Sequence, residues 1–510
     1  MTFRKSLERP EHGQITPPAA DSQPVSSSLA FNEEWAARTF VDCHDVIMKQ
    51  FVFGQTAVTL LYCEGLADTK QLNETILPSL HAVLAEISAE SAVLTDDILR
   101  SKWTISSLKQ ERALADTVSS VFNGELVLFL DGLASAFIVN IADPPKRNPE
   151  DSNTEISIRG SRDGFIENLA VNVALIRKRL RTESLSYEQY TLGRRSKTKV
   201  GLLYIKDVIR PQIVDEVKQR LAGIDTDAVY STNQLEELLA EKKFTLFPLF
   251  DYTGRADYVV ASLLRGRFVI VLDGVPTVII GPTNLMMIIK TSEDLHSAYS
   301  SVTYGRILRL AGLLISLFLP GFYIAIISYH QDQVPLTLLA TLVMSRKGVP
   351  LPAPAEALIM LLLFELFKEA GLRLPQAIGQ TLGVVGGLII GDAAIRSGLT
   401  SPSLLVVIGS TAVATYSLVN QTLSVSVSIL RIAVLLMSAF LGIFGFILSI
   451  FIVLIMLSNL RSFGIPYLAP ISPFTPRDAI SALVRLPASF QKRRPKMLHV
   501  QDATREGSDS

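Results

Sequence analysis

Gly266-Arg-Phe-Val-Ile-Val-Leu-Asp-Gly274 repeats, 142 residues on, the pattern of Gly124-Glu-Leu-Val-Leu-Phe-Leu-Asp-Gly132. In each copy an apolar run reads as a buried strand, and Asp131-Gly132 or Asp273-Gly274 supplies the positive backbone angles of a tight turn. A second apolar run follows each turn, Ala136-Phe-Ile-Val-Asn140 and Thr277-Val-Ile-Ile280, so each copy predicts a β-hairpin. The same offset carries Val58, Leu60, Leu61 and Tyr62 onto Val200, Leu202, Leu203 and Tyr204. Register kept across separated motifs is the mark of a duplicated unit. The fold class expected for the N-terminal half is therefore α/β, two related lobes at 31–145 and 199–300 joined by a basic helical linker at 146–198.

Around these strands the reading is coarser. Residues 1–30 are rich in Pro, Ser and charge without apolar period and are expected to form a disordered tail. A helix is expected from Asn32 through Gln50, with Trp35, Phe40 and Ile47 on its apolar face, and others at 74–87, 96–114, 211–222 and 233–241. Residues 163–181 read as a helix ending in Arg177, Lys178, Arg179 and Arg181. With Arg194, Arg195, Lys197 and Lys199 these predict a basic patch, solvated or docked on anionic lipid.

Charge is divided unevenly along the chain. Only eleven charged residues fall between Leu310 and Leu460, although Lys, Arg, Asp and Glu together make up 19% of the sequence. The segment 310–460 therefore predicts an α-helical polytopic membrane domain within 301–460, followed by a cytoplasmic basic tail at 461–510. Four stretches are long enough to span: 310–329, 376–395, 403–423 and 432–457. Arg306 and Arg309 before the first, and Arg461 with Lys492, Arg493 and Arg494 after the last, place both termini in the cytoplasm. Residues 355–368 are apolar but short, so they are expected to lie re-entrant or along the interface, with Glu356 and Glu365 turned to protein or water.

The second span, QAIGQTLGVVGGLIIGDAAI at 376–395, has two unlike faces. Gly379, Gly383, Gly386, Gly387 and Gly391 strip one flank of side chains, which suits close helix packing. Thr381, Val385, Leu388 and Asp392 fall in a stripe on the other. An acidic residue near the end of such a stripe is expected to face water or protein rather than lipid.

The chain excludes several functions. Its net charge is zero, which argues against nucleic acid as a partner. It carries no HExxH and no GxxxxGK[ST] phosphate loop, its six histidines are scattered, and its two cysteines, Cys43 and Cys63, are too few for a cysteine metal site. Neither an enzyme, nor a cofactor, nor a metal is expected. Both cysteines read as small buried residues.

The stretches SRDGFIENLAVNVALIRKRL, GRRSKTKVGLLYI, LLRGRFVIVLDGVPTVIIGP, SRKGVPLPAPAEALIMLLLFELFKEAGLRLP and IGQTLGVVGGLIIGDAAI, in this order, closely resemble the A subunits of GerA-type spore germinant receptors. The resemblance implies a multi-pass protein of the inner spore membrane that acts with an integral-membrane B subunit and a lipoprotein C subunit. It further implies a homo-oligomeric ring, pentameric, that conducts ions when a nutrient binds; the stripe Thr381, Val385, Leu388 and Asp392 would then line its pore, with Leu388 as constriction and Asp392 near the cytoplasmic mouth. The residues alone leave two other readings open: a secondary transporter of a small solute, or a non-conducting scaffold subunit of the receptor.

Overall fold

The computed structural model describes residues 23–54, 56–90, 94–105, 107–145, 160, 163–242, 244–373 and 391–505. It divides into two compact units: Met1–Ala240 with Tyr252–Pro282 and Lys492–Ser510, and Glu241–Asp251 with Thr283–Gln491.

The first unit is built on two five-stranded sheets of one topology. Strands β1 (Val46–Phe53), β2 (Thr56–Cys63), β3 (Lys109–Glu111), β4 (Leu126–Leu130) and β5 (Ala136–Val139) lie in the order β1-β2-β4-β5-β3. Strands β6 (Leu185–Leu192), β7 (Thr198–Ile205), β8 (Asp251–Thr253), β9 (Phe268–Leu272) and β10 (Val278–Gly281) lie in the order β6-β7-β9-β10-β8. The registers agree as well: Val58 faces Leu130 across β2–β4, and Val200 faces Leu272 across β7–β9. The apolar runs are continuous because these strands are covered on both sides. Leu126, Leu128 and Leu130 pack with Leu80 and Trp103, whereas Val127 and Phe129 pack with Leu114 and Phe122 on the other face.

The duplication extends further than the strands. Asp131 and Asp273, read above only as turn residues, also reach the helix that precedes each sheet: Leu29 N donates to Asp131 Oδ1 at 3.4 Å, and Leu169 N to Asp273 Oδ1 at 3.0 Å. A carboxylate at a helix N-terminus satisfies free N–H groups and complements the dipole. Asn32 grips Ser26 through both its amide atoms, at 3.0 and 2.7 Å, and Asn172 grips Ile166 in the same way at 2.9 and 2.6 Å. Pro24 bridges Ala113, and Gly164 bridges Arg255.

Several expectations are corrected by these contacts. Residues 23–28 are not part of a disordered tail but the first lobe's equivalent of 163–168. The helix expected from Asn32 to Gln50 is instead the helix Leu29–Thr39 followed by β1, because Val46-Ile-Met-Lys-Gln-Phe-Val-Phe53 forms a full ladder with β2. The helix expected over 96–114 is the short helix Asp96–Lys102, then β3, with a further helix starting at Leu114. The linker 146–198 holds the helix Leu169–Arg177 and β6, both integral to the second lobe. The tail is not free either: Gln501 N donates to Val208 O at 3.0 Å, and Arg494 Nε to Leu264 O at 2.8 Å.

Arg177 leaves the expected basic patch altogether. It is fully buried, its Nε and Nη2 donating to Asp45 Oδ2 and Oδ1 at 2.7 and 3.0 Å, its Nη1 to Thr182 O at 2.9 Å. The guanidinium lies 4.4 Å over the ring of Phe122. Burial works against its charge, but Asp45 holds it ionised above its ordinary range. The remaining patch is partly neutralised, Arg194 by Asp225 at 2.7 Å and Arg195 by Asp227 at 3.7 Å.

In the second unit, Tyr299–Tyr329 and Gln421–Ser458 are the two described helices long and apolar enough to cross a membrane, by length and composition. The expected span 403–423 is divided: one helix runs Pro402–Tyr416, and Asn420 Oδ1 caps the next at Leu423 N, 3.0 Å away. Of the expected span 376–395, residues 376–390 lie outside the described residues. The segment 355–368 belongs to a longer helix, Ala353–Arg373, whose 21 residues reach about 30 Å. The stretch read from the sequence as a short re-entrant or interfacial helix is thus the middle of that longer helix.

The expected span 432–457 is also corrected, because Gln421–Ser458 is not one rod. Gly442 has φ 61° and ψ −140°, a backbone that only glycine adopts readily. Lys242 Nζ donates to Asn459 O at 3.1 Å, and Ser426 Oγ to Leu246 O. Residues 242 and 246 can be at most about 14 Å apart along the chain, yet a straight helix would hold Ser426 and Asn459 roughly 50 Å apart. The helix therefore folds back at Gly442. Its first half rises beside Tyr299–Tyr329, with Gly321 against Val434 and Tyr329 Oη donating to Ala439 O at 2.6 Å. Its second half descends, with Phe446 5.4 Å from Phe322 and 6.1 Å from Phe318.

Two outcomes test these features. Arg177→Met should destabilise the full-length chain by about 3–5 kcal/mol, by stranding a buried carboxylate, and Asp45→Asn in the same chain should restore most of the loss in thermal melts. If the chain is folded back at Gly442, Gln421→Cys and Asn459→Cys should be labelled by an impermeant maleimide from the same side of a vesicle. Labelling from opposite sides would mean an unbroken rod. The native thiols give little background, since Cys43 and Cys63 are buried and burial raises both pKa values, Asp45 adding to the rise at Cys63.

Candidate functional site

Ionisable groups in the second unit gather at two levels along the helix Ala353–Arg373. Toward its end, Glu365 accepts from Arg431 Nη2, and Lys368 Nζ donates to Ser424 Oγ at 2.9 Å while standing 3.9 Å from Glu365. Arg431 is 3% exposed. Its Nη1 donates to Thr415 Oγ1 at 2.9 Å and its Nη2 also to Ser428 Oγ at 3.1 Å, while its Nε–H has no acceptor. Beside these groups is a cavity of about 20 Å³, lined among others by Leu361, Glu365, Lys368, Thr415, Tyr416 and Arg431. Charge among apolar helices is expensive unless paired or watered, so such a cluster marks a functional position.

Near the other end of the same helix, Glu356 is buried and joins three segments. Its Oε1 accepts from Thr400 Oγ1 at 3.1 Å, Ser401 N at 2.6 Å and Ser401 Oγ at 2.8 Å, and Arg346 Nη2 stands 3.5 Å from its Oε2. The carboxylate thus sits at the N-terminus of the helix Pro402–Tyr416, where negative charge is favoured. Hydroxyls continue the network, Ser403 with Tyr323 at 3.1 Å and with Ser345 at 2.8 Å.

Among the residues expected to line a pore, only Asp392 is described. Its side chain is exposed and pairs with Arg396, one turn along, at 2.7 Å. The backbone of Gly391 is buried near Leu405, close to Glu356 and Ser401. Asp392 therefore lies at the end of the unit that holds Glu356 and Ser401, remote from Arg306. Thr381, Val385, Leu388, Gly379, Gly383, Gly386 and Gly387 lie outside the described residues. Arg431, Lys368, Thr415 and Arg346 were not singled out from the sequence. Arg431 carried a signal: it is the one charged residue between Arg396 and Arg461. Among the described residues no His, Cys, Asp and Glu side chains cluster as a metal site.

Residues 34–497 match the family model described as Bacillus/Clostridium GerA spore germination protein. The chain is 45% identical over 490 residues to spore germination protein XA of Bacillus anthracis, covering 95% of this chain and 99% of that one. It is 36% identical over 475 residues to the membrane protein YfkQ of Bacillus subtilis, covering 93% and 92%. Among solved structures, the N-terminal domain of the A subunit of the Bacillus megaterium spore germinant receptor GerK3 aligns with 51% of this chain and 97% of its own, at 25% identity and a TM-score of 0.41.

Glu356→Gln keeps the side chain's size but removes its charge from Arg346 and from the helix N-terminus. It should lower stability by about 1–3 kcal/mol, whereas Asp392→Asn, which breaks only an exposed pair, should change it by less than about 1 kcal/mol. Thermal melts in detergent separate the two.

Proposed function

The chain belongs to the GerA family of spore germination proteins, and on that premise we propose that it is the A subunit of a nutrient-responsive germinant receptor and a ring-forming, ligand-gated cation channel. It would act in the inner spore membrane beside an integral-membrane B subunit and a lipoprotein C subunit, as a homo-oligomer. The observation that carries the reading is the pairing of Arg431, buried in a membrane-length helix, with the half-buried Glu365, and with Lys368 beside it. Ionisable groups at such depth face a bundle interior or a watered path rather than lipid.

Thr381, Val385, Leu388 and Asp392 are the pore wall in this proposal. The exposure of Asp392, whose partner Arg396 is on its own helix, leaves its carboxylate free to face a lumen. A ring of carboxylates raises the local concentration of cations, and Leu388 closes the pore by dewetting. Gly379, Gly383, Gly386, Gly387 and Gly391 form the flank where subunits or helices meet. A single-protomer transporter would be built on related membrane halves, and the duplication of this chain lies in its α/β lobes.

The test is potassium release from spores, normalised to receptor level. Leu388→Ala should leak ions or germinate without nutrient, Asp392→Asn should lower the flux, and Asp392→Lys should nearly abolish it. Unchanged release in Asp392→Lys with a silent Leu388→Ala would remove this helix from the pore.

A further inference from the structure

The charge lining the cavity beside Arg431 does not balance. Arg431 and Lys368 bring two positive charges and Glu365 one negative, and the other lining residues, Leu361, Phe364, Ile408, Ala412, Thr415 and Tyr416, carry none. A buried surplus charge is strongly unfavourable unless something neutralises it. Arg431 also has one N–H left over. Its Nη atoms are engaged by Glu365, Ser428 and Thr415, whereas its Nε–H meets no acceptor although the side chain is almost fully enclosed. An unmet charged donor in the interior calls for an acceptor at that point.

The geometry points to a bound ion: the cavity holds one small monovalent anion, of the chloride type, between Arg431 and Lys368. Size permits it, since about 20 Å³ admits a water-sized particle. Charge selects it over a cation, because two of the three ionised side chains around it are positive. A water molecule could occupy the space and accept from Nε, but it would leave the surplus charge in place. The anion makes the group neutral and joins the helices Ala353–Arg373, Pro402–Tyr416 and the first half of Gln421–Ser458 around one ion. The site shares no residue with the pore stripe and does not require that the receptor conduct.

The experiment uses full-length protein in detergent, melted in potassium gluconate, chloride and bromide at equal ionic strength. The melting temperature should rise saturably with chloride or bromide, as for any ligand that binds only the folded state, and not with gluconate. Lys368→Met leaves a neutral Glu365–Arg431 pair, so it should fold in gluconate and lose the halide response; Arg431→Gln should also lose it. An anomalous bromide peak beside Arg431 Nε would locate the ion. Equal melting of the native chain in all three salts, a halide response that survives Lys368→Met, or density for water alone would each overturn the assignment.

Discussion

A charge placed among apolar helices must be neutralised where it lies, and the second unit is arranged around that requirement. Arg431 sits in an otherwise uncharged run of sequence and is answered by Glu365 on another helix, supported by Thr415 and Ser428. Glu356, nine residues before Glu365 on the same helix, is answered by a helix N-terminus and by Arg346. The two carboxylates therefore fasten opposite ends of Ala353–Arg373 to different neighbours. Interactions of this kind are directional, so they fix which helices adjoin more strictly than apolar contact in lipid can.

The first unit meets the same requirement at Arg255 and Asp257, and again at Asp45 and Arg177. There the pair is bidentate and stacked on Phe122, and it ties the strand end of one lobe to the helix of the other. Arginine suits this position because its planar fork matches the carboxylate while its face covers an aromatic ring. Cys63 lies within the same enclosure, 3.5 Å from Asp45, and its thiol is held protonated first by burial and then by that carboxylate.

What was legible in the sequence was whatever depended on local pattern. The strands β4 and β9 and their turns were plain because five consecutive apolar residues before Asp-Gly admit few other structures. The second task of Asp131 and Asp273, capping a helix about a hundred residues away in sequence, left no local trace. β1 was read as helix because Trp35, Phe40 and Ile47 mimic a helical face, and only its ladder with β2 decides otherwise. In the second unit the sequence marked 355–368 only as a short apolar stretch, because Glu356, Glu365 and Lys368 break the run, whereas the helix extends over Ala353–Arg373. Glu356 and Glu365 are paired with Arg346 and Arg431 on other segments, a fact that hydropathy cannot register.

The fold sets the position of Asp392 through its neighbours. The fold-back at Gly442 returns Asn459 to the level of Asn420, while Asp392 falls near Ser401 and Glu356, remote from Arg306. At that end the carboxylate of Asp392 is exposed and that of Glu356 is enclosed, so the two acids of one end meet different surroundings.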